Sequence, residues 1–366
     1  MSAAVAKAIG PVIKRTRPDR RSVPAPGRGK HRTRARGGPR VGRDPAAQPR
    51  PSRDPAAQPR QLPPSRYHPL MDGSAPLIET IRRSVIGDDE AVAGPFGVRR
   101  VTYADYTASG RSLDFIEDYL RDAVLPLYAN THTESSGTGL QTTRFRAEAR
   151  QIVKDAVGAT DEHVVLFVGS GSTGAIDRLV HVLGLRLPEQ LDERYDLAAR
   201  IPPAERPVVF IGPYEHHSNE LPWRESIADV VTIPEDADGR IDLARLEAEL
   251  VAHADRPLKI GSFSAASNVT GVLSDTRAIS VLLHRHGALS FWDFAAAAPY
   301  VEIEMAPRRP APDGSGPGTM PDGSGPDGAP DGDADLDTKD AVFISPHKLI
   351  GGPGTPGVLV ARRDLF

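Results

Sequence analysis

Seven short apolar runs recur along the chain, at 164–168, 207–211, 229–233, 258–263, 288–292, 341–344 and 357–360. Most are rich in β-branched and aromatic residues and nearly continuous, as in "VVLFV" and "AVFI", rather than alternating with polar positions. Strands of that kind are covered on both faces. Helical patterns separate several of them, at 173–185, 241–253 and 276–286, and two more precede them at 113–126, closed by Pro126, and 142–157, closed by Gly158. Strands alternating with helices imply an α/β fold, a mostly parallel sheet sandwiched by helices. Ligands of such sheets sit beyond the carboxyl ends of the strands, so the residues after each run are where chemistry is expected.

Two stretches stand outside this pattern. Residues 1–66 are dominated by Arg, Pro, Gly and Ala, with "RDPAAQPR" at 43–50 and again at 53–60. They hold 17 Lys and Arg against Asp19, Asp44 and Asp54, a local charge of +14, so the other 300 residues carry −17 within the total of −3. So little apolar surface cannot offset the entropy of ordering, and a disordered basic tail is expected. Charge alone would suit nucleic acid, but no aromatics interleave the arginines and that partner is not favoured. Patterned sequence opens at Met71, which suggests a start there and one large, ligand-binding domain over 71–366. A Pro/Gly/Asp-rich block at 307–336, with "PDGSGP" at 312–317 and 321–326, reads as a disordered insertion between two core strands.

The chain contains no cysteine, which removes disulfides, thiolate metal sites and a cysteine nucleophile from these residues. With no apolar run near the roughly 18 residues that cross a bilayer, and no signal-peptide core, a cytoplasmic protein without membrane contact is expected.

The strand ends carry a distinctive set. After 164–168 comes Gly169-Ser-Gly171-Ser172-Thr173-Gly174, and after 207–211 comes Glu215-His216-His217. Asn268 follows 258–263, Asp293 follows 288–292, and Ser345-Pro-His347-Lys348 follows 341–344. Each has a plain reading as a turn residue, an N-cap or a solvated side chain. Together they meet the needs of pyridoxal 5′-phosphate. That cofactor takes a lysine amine for a Schiff base, a carboxylate on its ring nitrogen, a flat group over the ring, and hydroxyls at a helix N-terminus for its phosphate. The glycine loop also matches G-x-G-x-x-G, so a nicotinamide-dependent oxidoreductase is the alternative, although no acid ends a strand some 20 residues on. A metal hydrolase on Glu215, His216 and His217 lacks a suitable ligand spacing, and no metal is expected.

The motifs "YADYTASG" (103–110), "YANTHTESSG" (128–137), "GSGSTGAID" (169–177), "YEHHSNELPW" (214–223), "SNVTG" (267–271), "WDFAAAAP" (292–299) and "SPHKLIGGPGTPGVL" (345–359) resemble, in order, the class V aminotransferase and cysteine desulfurase group of fold-type I pyridoxal-phosphate enzymes. The resemblance implies Lys348 as Schiff-base lysine and proton shuttle, Asp293 on the pyridinium nitrogen and His216 stacked on the ring, these three being catalytic. It implies Asn268 near the phenolic oxygen, and Ser172, Thr173, Ser345 and His347 around the phosphate. Thr107 and His132 fall on the substrate side. Asp293 and Lys348 are 55 residues apart, about twice the family's spacing, and subtracting the insertion restores it. The resemblance further implies an amino-acid substrate, a homodimer, and a small C-terminal domain beyond Phe366 that is missing here. That domain normally brings the arginine for the substrate carboxylate and, in desulfurases, the catalytic cysteine. Ala296 stands where desulfurases commonly carry a polar residue. A truncated, inactive relic of such an enzyme is therefore a further alternative.

Overall fold

The computed structural model describes residues 77–306 and 336–366. The expected tail over 1–66, the expected start at Met71 and the 307–336 insertion up to residue 335 lie outside the described residues.

Strands β3 (His163–Val168), β4 (Val208–Ile211), β5 (Asp229–Thr232), β6 (Lys259–Ser264), β7 (Leu289–Asp293), β8 (Ala341–Ile344) and β9 (Gly357–Arg362) form one seven-stranded sheet in the order β3-β9-β8-β7-β6-β4-β5. The pairs β4/β5, β4/β6, β6/β7 and β7/β8 are parallel. Strand β9 runs antiparallel to both neighbours, β8 and β3. Six strands therefore point the same way, and their carboxyl ends share one edge of the sheet.

Side chains alternate between faces along a strand, and here both faces are covered. Val208 and Phe210 of β4 join Trp292, Val342, Val358 and Val360 in one core. Against it pack Leu246 and Leu250 of α7 (Leu243–Ala252) and Ile279 and Leu283 of α8 (Thr276–Arg285). Val209 and Ile211 join Phe291, Phe343 and Leu359 in the other core. That face is closed by Ile176 and Leu179 of α4 (Gly171–Val182) and Trp223 of α6 (His217–Arg224). Double burial is why the runs read as continuous. Asp242 and Asp275 cap α7 and α8, accepting from the N–H of Arg245 and Ala278, both at 2.9 Å.

Several elements depart from expectation. Helix α3 (Gly137–Ala156) starts five residues before the expected 142, because the Ser136 hydroxyl accepts from the Gly139 N–H at 3.1 Å and caps a glycine-rich first turn. The helix expected over 113–126 is α2 (Asp114–Tyr119), widening into a π turn at Leu120–Val124 and tightening to a 3-10 turn at Leu125–Leu127 around Pro126. Proline has no N–H to continue the ladder. Helix α1 (Leu77–Arg83), the β1–β2 hairpin (Ala91–Gly94 with Gly97–Arg100), and α5 (Glu189–Tyr195) are further elements, as is α6 in the His216 segment. The hairpin is exposed along its length and does not join the sheet.

The flanks of the 307–335 segment meet. Lys339 donates its N–H to the Met305 carbonyl at 2.8 Å and its Nζ to the Glu304 carbonyl at 2.7 Å. Just beyond, buried Asp340 accepts from the Ser290 N–H at 2.7 Å and from Arg362 at 2.7 Å. His284 sits between the Leu336 carbonyl, 2.6 Å from Nδ1, and Asp340, 2.9 Å from Nε2. Both partners only accept, so both ring nitrogens carry hydrogen and the ring is an imidazolium. Burial works most strongly against that charge, but the bond and the negative charge of Asp340, with the Leu336 carbonyl, together outweigh it and raise the pKa of His284. His284 thus holds its proton more tightly folded than unfolded. Its contribution is complete below the ordinary histidine value of 6.5 and is lost as pH rises through the raised one. Asp340→Ala should cost about 3–5 kcal/mol, the usual penalty for breaking a buried pair. Urea unfolding at about pH 6 and pH 9 checks both: the wild type should lose stability between the two, and the variant should lose less.

Candidate active site

A cavity of about 570 Å³ opens at the shared strand edge. Asp293, the last residue of β7, lines it and is only 3% exposed. Its Oδ1 accepts from the Ala295 N–H at 2.9 Å, and burial pushes its pKa up to about 6. From the end of β8 come Ser345 and a 3-10 turn, Pro346–Lys348, that brings His347 and Lys348 to the same cavity. Burial lowers the Lys348 pKa, with the charges of Asp293 and Asp105 opposing it.

The glycine loop wraps the end of α4 around this turn. The Ser172 N–H donates to Ser345 Oγ at 2.8 Å, and Ser172 and Thr173 line the cavity. Gly171 has φ +59°, and a Cβ there would lie 2.9 Å from both His347 Cε1 and Ser345 Oγ. The close approach requires glycine. In the nicotinamide alternative the loop would follow a strand inside a parallel unit at a switch point. Instead β3 lies at the sheet edge beside antiparallel β9, and its loop faces Lys348.

His216 caps α6. Its Nδ1 accepts from the Ser218 N–H at 3.1 Å, which leaves the ring proton on Nε2. Burial, then the positive charge of Lys348, lowers its pKa, so the ring is neutral near pH 7. After β6, Ser267 Oγ accepts from the N–H groups of Val269 and Thr270 and shapes the turn that carries exposed Asn268 to the cavity. Thr107 arrives on a strap before α2, where the Gly110 N–H donates to the His347 carbonyl at 2.9 Å. A Cβ on Gly110 would fall on the Leu349 carbonyl. Gly110→Ala is expected to lift the strap off the lysine turn and destabilise the fold by about 1–3 kcal/mol, read by thermal unfolding.

Nine of the ten residues expected at the site thus line one cavity; His132 does not. It is exposed at φ 70°, with its Nδ1 2.7 Å from Thr131 Oγ1. The loop carrying it is tied to α3, where the Ala129 N–H donates to Thr142 Oγ1 at 3.1 Å. The cavity also includes three residues outside the expected set, Asp105 of "YADYTASG", Ser218 and Ser264. The charge of Asp105 was the available signal. Ala296 lines the cavity as well. Among the described residues no group of three or more His, Asp or Glu is placed to hold a metal ion.

Comparison with known proteins agrees with this geometry. The family model for aminotransferase class-V matches residues 102–307. The chain belongs to the aminotransferase class-V family. Members of the family use pyridoxal phosphate. A probable cysteine desulfurase of Halalkalibacterium halodurans is 25% identical over 213 residues, 56% of this chain and 47% of that protein. A cysteine desulfurase of Synechococcus elongatus is 25% identical over 232 residues, 62% of this chain and 33% of that protein. The chain spans about half the length, or less, of these curated relatives. The apo structure of a cysteine desulfurase from Thermococcus onnurineus NA1 superposes with a TM-score of 0.54 at 20% identity, covering 80% of this chain and 59% of that one. It shares the fold.

The residues present fit the cofactor. A partly buried amine, a buried carboxylate, a glycine cradle at a helix start beside three hydroxyls, and a cavity in the usual small-ligand range converge here. No helix among the described residues is long and apolar enough to cross a membrane.

Proposed function

We propose that this chain is the cofactor-binding part of a pyridoxal-phosphate enzyme that acts on an amino acid through Lys348. The observation that carries this reading is Lys348 and buried Asp293 facing one cavity beneath the Gly171 cradle. When bound, pyridoxal phosphate supplies an aldehyde and a ring that draws electron density from a bond at the substrate's Cα. The lowered pKa of Lys348 enlarges the share of neutral amine that can attack that aldehyde. Asp293, anionic above about pH 6, holds a proton on the ring nitrogen. His216 offers a flat neutral ring as cover, and its Nε2–H is free of the capping bond. Ser172, Thr173, Ser345 and His347 would hold the phosphate, and Asn268 would lie near the ring oxygen. Lys348 would hold the cofactor through its amine and, as a base, could move a proton at the substrate's Cα. Thr107 lies on the substrate side.

The relatives' names favour desulfurase or transaminase chemistry. We further propose a cytoplasmic homodimer whose interface covers exposed Val269 (85%) and Ile350 (44%), which neighbour Asn268 and Lys348 in the chain. Sedimentation should show a dimer, and Val269→Asp should weaken it.

The test of function is the visible spectrum of the full chain reconstituted with pyridoxal phosphate and then exposed to amino acids in turn. A band near that of protein-bound cofactor, shifted by one or a few amino acids, is expected. A folded protein that develops no band sinks the proposal, and a band that no amino acid perturbs sinks its substrate class.

A further inference from the structure

Glu215 precedes His216 and turns inward, away from the roles above. Its Oε1 accepts from the Gly212 N–H at 3.2 Å and the Ser264 N–H at 2.9 Å. Its Oε2 accepts from Asn219 Nδ2 at 2.7 Å and Ser264 Oγ at 2.6 Å. These donors belong to three separate pieces of chain: the residue after β4, the last residue of β6, and the first turns of α6. Two of those pieces lead directly to the cavity. Ser264 is the register partner of Asp293 across β6 and β7, and the next residue, Ala265, donates its N–H to the Asp293 carbonyl at 2.9 Å. Helix α6 is the one His216 caps.

The network admits little freedom. Asn219 cannot turn its amide over, because its Oδ1 accepts from Ser262 Oγ at 2.7 Å while Nδ2 also donates to the Ser262 carbonyl at 3.2 Å. A Cβ on Gly212 would stand 2.7 Å from Glu215 Oε1, so glycine makes room for the carboxylate. Burial pushes the acid up to about 7, against the pull of Ser264 and Asn219 and with Asp293 adding to the push. A buried carboxylate adds little stability that well-packed apolar side chains could not match. What four converging donors add is position.

We propose that Glu215 is a positioning residue of the candidate site, its carboxylate tying the ends of β4, β6 and α6 together so that His216 and Asp293 stand in fixed relation to Lys348. The proposal rests on the cofactor reading above for its functional meaning. Glu215→Gln keeps the shape but presents an NH₂ to one pair of these donors, so at least one donor faces another. The start of α6 should loosen, and with it the His216 ring.

The test has two readouts on the full chain. In the cofactor-free protein, imidazole ¹⁵N shifts, assigned through His216→Gln, should show one Nε2–H tautomer in the wild type and an average of two in Glu215→Gln. In a titration with pyridoxal phosphate, the variant should bind on the order of ten- to a hundredfold more weakly, the loss typical of a hydrogen bond to a charged group. Ser264→Ala removes one donor and should move both readouts the same way by less; it decides the matter if Glu215→Gln does not fold. A folded Glu215→Gln, or Ser264→Ala in its stead, with wild-type His216 shifts and wild-type affinity overturns the proposal. A wild-type protein that forms no borohydride-reducible band overturns the cofactor reading instead, and the His216 shifts then decide the role of Glu215 by themselves.

Discussion

Lys348→Ala is expected to abolish the borohydride-reducible visible band completely and all turnover with it. The argument is positional. Lys348 is the lysine among the residues lining the cavity, it faces buried Asp293, and partial burial lowers its pKa toward the range where an amine is nucleophilic. Lys348→Arg should fail equally, since a guanidinium remains charged and cannot attack an aldehyde. Lys348→Ala should not unfold the protein, because removing a partly desolvated charge costs the fold little. Spectra before and after borohydride, beside circular dichroism, check this. A band that survives in Lys348→Ala would place the attachment on another lysine and sink the assignment.

Asp293→Asn carries the second large effect. The amide can keep the bond from the Ala295 N–H through its oxygen, so the shape of the site is retained and the charge removed. Loss of one preorganised charge at the reacting centre typically lowers turnover on the order of a hundredfold or more. The pH dependence follows from burial, which pushes Asp293 up to about 6. Capture of the cofactor by the wild type should weaken as pH drops through about 6 and the carboxylate takes a proton, and Asp293→Asn should lack that limb. A variant with wild-type turnover and an unchanged acid limb would remove Asp293 from the mechanism. Stability moves in the opposite sense: a carboxyl with a raised pKa is easier to bury protonated, so Asp293 opposes folding above about pH 6 and that cost is relieved as pH falls toward the ordinary value of 3.8.

Much of the fold was legible because its signals are local. Each core strand was anticipated within one or two residues, since burial on both faces leaves uninterrupted apolar runs such as Val208–Ile211. The spacing of Asp293 and Lys348 was legible too. The flanks of the intervening segment meet at Met305 and Lys339, so 55 residues of chain separate two neighbouring strand ends. The missed elements lack such a signal. Helix α3 begins on Gly137-Thr-Gly139, weak helix formers that only the Ser136 cap explains. The β1–β2 hairpin buries nothing, so no apolar alternation marks it. His132 and Thr107 looked alike in sequence, each within a motif. Only Thr107 reaches the cavity, because its strap is bonded to the lysine turn while the loop of His132 is bonded to α3.

The sequence by itself determined the class of sheet, the strands and the residue types at their carboxyl ends, since hydrophobic periodicity and turn chemistry act over a few residues. It also showed a lysine, an aspartate, a histidine and a glycine loop whose chemistry converges on one cofactor. Tertiary structure decided the rest. The direction of β9, the exclusion of His132, the inward turn of Glu215 and the entry of Asp105 all depend on which distant segments pack together. Those pairings are set by contacts between residues far apart in the chain, such as Ser172 with Ser345 and Ser264 with Glu215, which no local pattern encodes.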